Sequence, residues 1–328
     1  MKFMITGANG FVGSSLCADL EKKGHSICAA LRLPGSPTVH WKQVTVGEID
    51  GTVDWRVALI EVEVVIHLAA RVHIMHDNSA DPLTAFRTVN VDGTLNLARQ
   101  AATAGVKRFV FVSSIKVNGE CTEPHTAFSE SDSPNPQDPY AQSKHEAEQG
   151  LRQIAAETGM EVVIIRPPLV YGPGVKANFA ALIRAVQRGR PLPLGAVHNQ
   201  RSLVALDNLV DFIITCVTHH QAANQTFLVS DGQDLSTTEL VRGMARAAGV
   251  PARLLPVPVW ALQSVAKLLG KQDAVQRLCG NLQVDISKAR RLLGWVPPVS
   301  VDEGLRRAML GGGHGLPRLA RNDDIERK

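Results

Sequence analysis

MKFMITGANGFVG, residues Met1 to Gly13, is the stretch whose reading decides the fold. Phe3, Met4 and Ile5 form a short apolar run that stops at Thr6-Gly7. Apolar residues return at helical spacing from Phe11, with Val12, Leu16 and Leu20,. The segment reads strand, tight turn, helix, with Gly7, Gly10 and Gly13 in the turn. Small residues there let the backbone approach a pyrophosphate, and the N–H groups of a helix start carry partial positive charge toward it. Phe11 and Val12, the first helical residues, belong to the same expected dinucleotide contact. A glycine turn without a ligand has the same composition; its place between the first strand and the first helix favours the cofactor.

Outward from this unit the chain alternates strand-like and helix-like segments, as a doubly wound α/β sheet of Rossmann type requires. Strands are expected at Ser26–Leu31, Gln43–Val46, Val62–Leu68, Arg108–Ser113 and Glu161–Arg166. Helices are expected at Phe11–Lys23, Trp55–Ile60, Ala85–Ala104 and Tyr140–Thr158. After Pro167 the pattern turns irregular, with short strands near Leu192 and Leu203, another at Thr226–Ser230, and helices at Thr237–Ala248, Val259–Leu269 and Ile286–Leu293. This predicts a dinucleotide-binding domain over 1–172 with a returning segment near 202–231. A smaller, interleaved C-terminal substrate lobe would comprise 173–201 and 232–310. Residues 311–328 open on GGGHG and end in mixed charge without periodicity, which predicts a mobile tail.

Composition narrows the function classes. The 328 residues are 45% hydrophobic, enough for a large core, and the net charge of +4 is too mild to argue for nucleic acid or an anionic membrane,. Cys17, Cys28, Cys121, Cys216 and Cys279 are odd in number and contain no CxxC pair, against a disulfide framework or zinc site,. His73 and His76, and His219-His220, lack neighbouring ligands and read as loop histidines, so no metal is expected. No signal peptide opens the sequence and no run of eighteen apolar residues occurs, so a soluble, cytoplasmic protein is expected.

The second strand ends Ala29-Ala30-Leu31-Arg32, where an acidic residue would hold an adenosine ribose. Arg32 suits a 2′-phosphate or stacking on adenine, and equally a solvated loop, which leaves NAD and NADP both open. Glu48 and Ile49, after the third strand, fall where an adenine would be met. The chemistry lies further on. Tyr140 and Lys144 are four apart at the start of a helix opened by Asp138-Pro139. An ammonium beside a phenol stabilises phenolate and brings a reference pKa of about 10 toward neutrality, making a base for a sugar hydroxyl. Ser114 ends the fifth strand, at the edge where open α/β folds place ligands.

TGANGFVG (6–13), HLAA (67–70), SSIKVNG (113–119), PYAQSKHEAE (139–148) and RPPLVYGPG (166–174) together resemble the extended short-chain dehydrogenase/reductases, in their nucleotide-sugar epimerase/dehydratase/reductase branch. The resemblance covers residues 1 to about 310. It implies Tyr140 as general base and acid, Lys144 on the nicotinamide ribose, and Ser114 on the reacting sugar oxygen. Leu68, Ala69 and Ala70 would line the adenosine side, Pro167 would flank the nicotinamide, and Asn90 would order the cofactor edge. Asn178, Arg201 and, less directly, Arg277 match positions that hold a uridine diphosphate, where a guanidinium fork suits phosphate oxygens. The helices over 85–104 and 142–158 form a four-helix dimer in the family, implying a homodimer.

Departures from the pattern sort the reactions. Ile115-Lys116 replaces the Asp-Glu pair of the 4,6-dehydratases, which disfavours dehydration. Asn118 and Leu169 replace residues near the family's substrate, which points away from plain UDP-galactose or UDP-glucose. RPPLVYGPG and RSLV resemble bacterial reductases of UDP-4-keto-6-deoxy-N-acetylhexosamines that serve polysaccharide synthesis. The leading expectation is therefore an NAD- or NADP-dependent 4-reductase, with a UDP-sugar 4-epimerase as the alternative. An inert dinucleotide-binding module remains a third possibility, disfavoured because both Tyr and Lys are present.

Overall fold

The computed structural model describes residues 1–34, 40–72, 81–270 and 272–311. His73, His76 and the tail from 312 onward lie outside the described residues.

Elements follow the expected alternation. The first half holds β1 (Lys2–Thr6), α1 (Phe11–Lys22), β2 (Ser26–Leu31), β3 (Lys42–Thr45), β4 (Val64–His67), α2 (Pro82–Arg87), α3 (Thr94–Thr103), β5 (Arg108–Val112) and α4 (Pro139–Thr158). Then come β6 (Glu161–Arg166), β7 (Leu169–Tyr171), α5 (Ala177–Gln187), β8 (Leu203–Ala205), α6 (Leu206–Thr218) and β9 (Thr226–Leu228). Five helices close the chain: α7 (Thr237–Ala247), α8 (Val259–Leu268), α9 (Gln272–Cys279), α10 (Ser287–Leu293) and α11 (Val301–Leu310).

The main sheet has seven parallel strands in the order β3-β2-β1-β4-β5-β6-β9. Its order reverses between β1 and β4, where such sheets open a crevice at their carboxyl ends. Parallel strands are buried on both faces, and alternation sorts their side chains accordingly. Phe3, Ile5, Val110, Val163 and Ile165 join Leu16 and Leu20 of α1 and Leu209, Phe212 and Ile213 of α6 on one face. Met4, Phe109, Phe111, Val162 and Ile164 meet Leu97 and Ala101 of α3 and Leu151 and Ile154 of α4 on the other. A third core, around Tyr171, Phe179, Ile183, Leu305 and Met309, belongs to the later elements.

Four local expectations are corrected. Residues 55–60 form turns and no helix: Asp54 accepts from Arg56 N at 3.0 Å and binds its guanidinium, while Trp55 is fully buried. So short a segment does not nucleate a helix against a competing side-chain bond. The expected helix 85–104 is α2 and α3 joined by a π segment, Thr88–Gly93. Leu192 makes a single bridge to Leu254 and no strand. Leu203–Ala205 does not return to the main sheet; it pairs with β7 in a separate two-stranded parallel sheet, while Thr226–Leu228 does return, beside β6. Helices α5, α6, α9 and α11 were not read from the sequence.

Candidate active site

The crevice between β1 and β4 is built by the opening glycines. Gly7 is at φ +68°, and a Cβ on it would stand 3.0 Å from Ala69 N. A Cβ on Gly13 would stand 2.1 Å from the Gly7 carbonyl oxygen, so the helix meets the turn only with hydrogen at that position. Gly10 caps α1 and supplies no side-chain acceptor. The N–H groups of Phe11, Val12 and Gly13 therefore have no acceptor among the described residues, leaving a helix N-terminus whose donors suit a pyrophosphate,.

A buried relay fixes the opposite wall. Thr6 Oγ1 accepts from Leu68 N at 3.2 Å and Ala69 N at 3.1 Å, and lies 2.7 Å from His67 Nδ1. With both lone pairs used, the Thr6 hydroxyl donates to Nδ1, so Nε2 of the neutral imidazole carries the proton and donates to Thr94 Oγ1 at 3.0 Å,. Burial and the nearby Lys144 charge pull His67 down to about 3, which keeps this tautomer neutral. At the far end of the crevice Arg32 pairs with Glu48 at 3.4 Å, both well exposed. The guanidinium is thus engaged by a carboxylate, which weakens the expectation of a 2′-phosphate. Ile49 lies against Gly93, where a Cβ would come within 2.5 Å of its Cγ2.

The start of α4 carries the expected pair, Tyr140 and Lys144. Asp138 caps it, accepting from Ala141 N at 2.7 Å, and Pro139 takes the first turn,. Ser114 shares the same sheet edge as Pro167, because Ile115 N donates to the Pro167 carbonyl at 3.0 Å. Lys144 is 2% exposed, with Nζ 4.1 Å from the Phe111 ring centroid and no hydrogen-bond acceptor among the described residues. Burial pulls it down to about 7, opposed by the charge of Glu148. Tyr140 is pushed up to about 12 by burial and by the Asp138 charge, while the Ser114 hydroxyl against it works the other way. The Lys144 ammonium lies over the Phe111 ring, and its charge is not among the influences that set the phenol here.

Behind the pair stands a buried ionic cluster. Arg166 Nε donates to Glu148 Oε1 at 2.9 Å and Nη2 to Oε2 at 2.5 Å, Ser113 donates to Oε1 at 2.6 Å, and Arg166 Nη1 donates to Asn118 Oδ1 at 2.8 Å. Asn118 is 2% exposed and also donates to Ser129 O, so it braces Arg166 and does not face a substrate as expected. Leu169, by contrast, is exposed. Asn90, in the π segment, exchanges two hydrogen bonds with the Arg71 backbone at 2.8 and 3.0 Å and donates to Ser143 Oγ at 2.9 Å. Its amide is satisfied by protein, tying the Arg71 backbone to Ser143 of α4.

The expected phosphate residues are spread over the later elements. Arg201 donates to Gly280 O at 3.0 Å, and burial pulls its guanidinium below the usual arginine range. Asn199 donates to Leu278 O and Gly280 O, and Gln200 N donates to Asn281 Oδ1, so HNQR binds the strap after α9. Arg277 precedes that strap and is exposed, and Asn178 is exposed on the first turn of α5. Sequence reading missed Thr6 and Thr94, whose partner His67 was visible only as part of HLAA. No group of three potential metal ligands occurs among the described residues.

Residues 3–230 match the NAD dependent epimerase/dehydratase family. This chain belongs to that family. The epimerase/dehydratase is 50% identical over 305 residues to a UDP-glucose 4-epimerase of Vibrio cholerae, with 93% of each chain covered. It also superposes on the UDP-glucuronic acid 4-epimerase of Bacillus cereus in complex with NAD, at a TM-score of 0.76 and 21% identity over 95% of this chain and 96% of the other. The UDP-glucose 4-epimerase of Thermotoga maritima with UDP-glucose gives 0.75 and 22%, over 95% and 98%. The family depends on NAD(P), and the glycine turn, the Thr6–His67 wall and the uncapped α1 fit such a cofactor. Among the described residues, no helix of this epimerase/dehydratase is long and apolar enough to cross a membrane.

Proposed function

We propose that the chain is a UDP-sugar 4-epimerase with NAD as its resident cofactor. The observation that carries this is the 50% identity to a UDP-glucose 4-epimerase across 93% of both chains, together with the presence of Ser114, Tyr140 and Lys144 at one sheet edge. The 4-reductase expected from RPPLVYGPG and RSLV finds no comparable support, and epimerisation is the better-supported of the two.

Bound NAD supplies a reversible hydride acceptor. The chain's own residues do the rest. Tyr140 Oη would take the proton of the sugar 4-hydroxyl as C4 is oxidised to the ketone, and give it back when the same hydride is returned to C4 after the sugar has presented its other face. Ser114 would hold the same oxygen by hydrogen bond, and the donors of Lys144 would engage the cofactor ribose. The N–H groups of Phe11, Val12 and Gly13 hold the pyrophosphate. Arg201 is the candidate for a uridine diphosphate on the chemistry of its guanidinium fork, with Asn178 and Arg277 as further candidates. Rate comes chiefly from holding the two carbons in register.

The test is incubation of the purified protein with UDP-glucose and product analysis. Appearance of UDP-galactose with no net change in reduced cofactor is expected. Oxidation of one reduced cofactor per turnover of a UDP-4-keto sugar, without epimer formation, would establish the reductase instead. Tyr140→Phe should lower turnover by roughly 100-fold or more, as removal of a general base does.

A further inference from the structure

Lys116 was visible in the sequence only as a departure from the dehydratase pattern, and the mechanism above does not use it. It lies two residues beyond Ser114, on the short 3-10 turn Ile115–Val117. Its ammonium is held by Asp138 Oδ2 at 2.5 Å and Glu120 Oε1 at 2.8 Å. The lysine and aspartate side chains are 30% and 25% exposed, so water screens the pair only in part.

Asp138 divides its two oxygens. One accepts from Ala141 N and fixes the start of α4; the other meets Lys116. The same carboxylate lies two residues before Tyr140, and its charge disfavours the phenolate. A carboxylate is a good cap for the helix and a poor neighbour for a phenol that must ionise. The two carboxylates outweigh burial at Lys116 and hold its pKa above the ordinary lysine value, so its charge persists into the alkaline range.

We propose that Lys116 is a positioning residue for proton transfer at Tyr140: by neutralising Asp138 while leaving it free to cap α4, it lets the phenol release its proton closer to neutrality. The proposal rests on the reading of Tyr140 as the proton-transfer group. Other groups around Tyr140 are accounted for. Lys144 is on its own helix; His67 lies near Lys144 and is neutral; Glu120 is bound to Lys116. From α2 come the Phe86 ring edge and Arg87, the latter paired with Glu146, and the Arg71 guanidinium lies over Phe86.

The test needs no substrate. The chain has two tyrosines. Tyr171 is buried, donates to Asp231 at 2.8 Å and is pushed far above the phenol range. Phenolate absorbance of the purified protein at a fixed alkaline pH below unfolding therefore reports Tyr140, with Tyr140→Phe as the blank. Lys116→Met should lower the phenolate fraction by about tenfold, the size of a neighbouring-charge effect of one pH unit. Asp138→Asn keeps a good cap and should raise the fraction, and in the Lys116→Met/Asp138→Asn double variant most of the Lys116→Met loss should disappear. Lys116→Arg should restore the wild-type signal. If Lys116→Met lowers the melting temperature with the phenolate fraction unchanged, or if Asp138→Asn fails to offset it, the proposal is overturned. A shifted phenolate signal in a protein that epimerises no UDP-hexose would leave the Lys116–Asp138 effect on the phenol standing and remove its role in epimerisation, whereas an active epimerase with an unshifted signal would overturn this inference alone.

Discussion

Lys144 trades stability for reactivity, and the sign of the trade is measurable. Its folded pKa, about 7, lies below the ordinary 10.5, so between these values the unfolded chain binds more protons and stability rises with pH,. Below pH 7 the penalty is present in full. Lys144→Met should remove a penalty on the order of a few kcal/mol, partly offset by the lost contact with Phe111. In the cofactor-free protein we expect the variant to melt a few degrees above wild type at pH 6, by calorimetry, with the gap closing toward pH 10. A gap independent of pH would mean that the lysine is not buried as charged. The spacing of Tyr140 and Lys144 after Asp138-Pro139 was legible because one turn of helix fixes it. The charge state of Lys144 was not, because burial against Phe111 of another strand and the Glu148 carboxylate one turn on set it.

Turn and helix geometry explain which elements could be read in advance. The first βα unit was legible because glycine is required there by backbone contact. Gly13→Ala would drive a Cβ to within 2.1 Å of the Gly7 carbonyl oxygen unless the turn opens. Thermal melting should show a loss of about 1–3 kcal/mol, as overpacking produces. Cofactor retention, read from nucleotide absorbance of the purified protein, should fall with it. Helix α6 was missed for the opposite reason: LDNLVDFIITCVT buries residues on several faces and is rich in β-branched side chains, so its periodicity is blurred,. Asn118 was placed near the substrate because it stands where the family pattern has a substrate-side residue. Arg166, from an adjacent strand, claims it instead.

Taken whole, the molecule is braced by charges that no single segment contains. Glu148 of α4, Arg166 of β6, Ser113 after β5 and Asn118 beyond it join three elements in one buried cluster. Arginine and serine hold the Glu148 carboxyl below the usual carboxylate range against the cost of burial. Its contribution is present above the ordinary glutamate pKa and is lost as pH falls through the depressed one. Glu148→Gln leaves Arg166 buried without its counter-ion and should cost about 3–5 kcal/mol by denaturant titration near neutrality. The wild-type advantage should shrink as the medium is acidified. The split of the later strands, with β9 in the main sheet and β7–β8 apart, was equally hidden, since pairing partners over thirty residues distant leave no local trace.

The π segment Thr88–Gly93 carries one residue more than an ordinary helical turn would use. Removing a single residue from it would rewind α2 and α3 into one regular spiral and turn everything upstream by roughly 100°. Asn90 would lose Arg71 or Ser143, and Phe86 would swing away from Tyr140. A shortening that a loop would absorb silently becomes, at this position, a rotation of the wall that faces the Tyr140 ring.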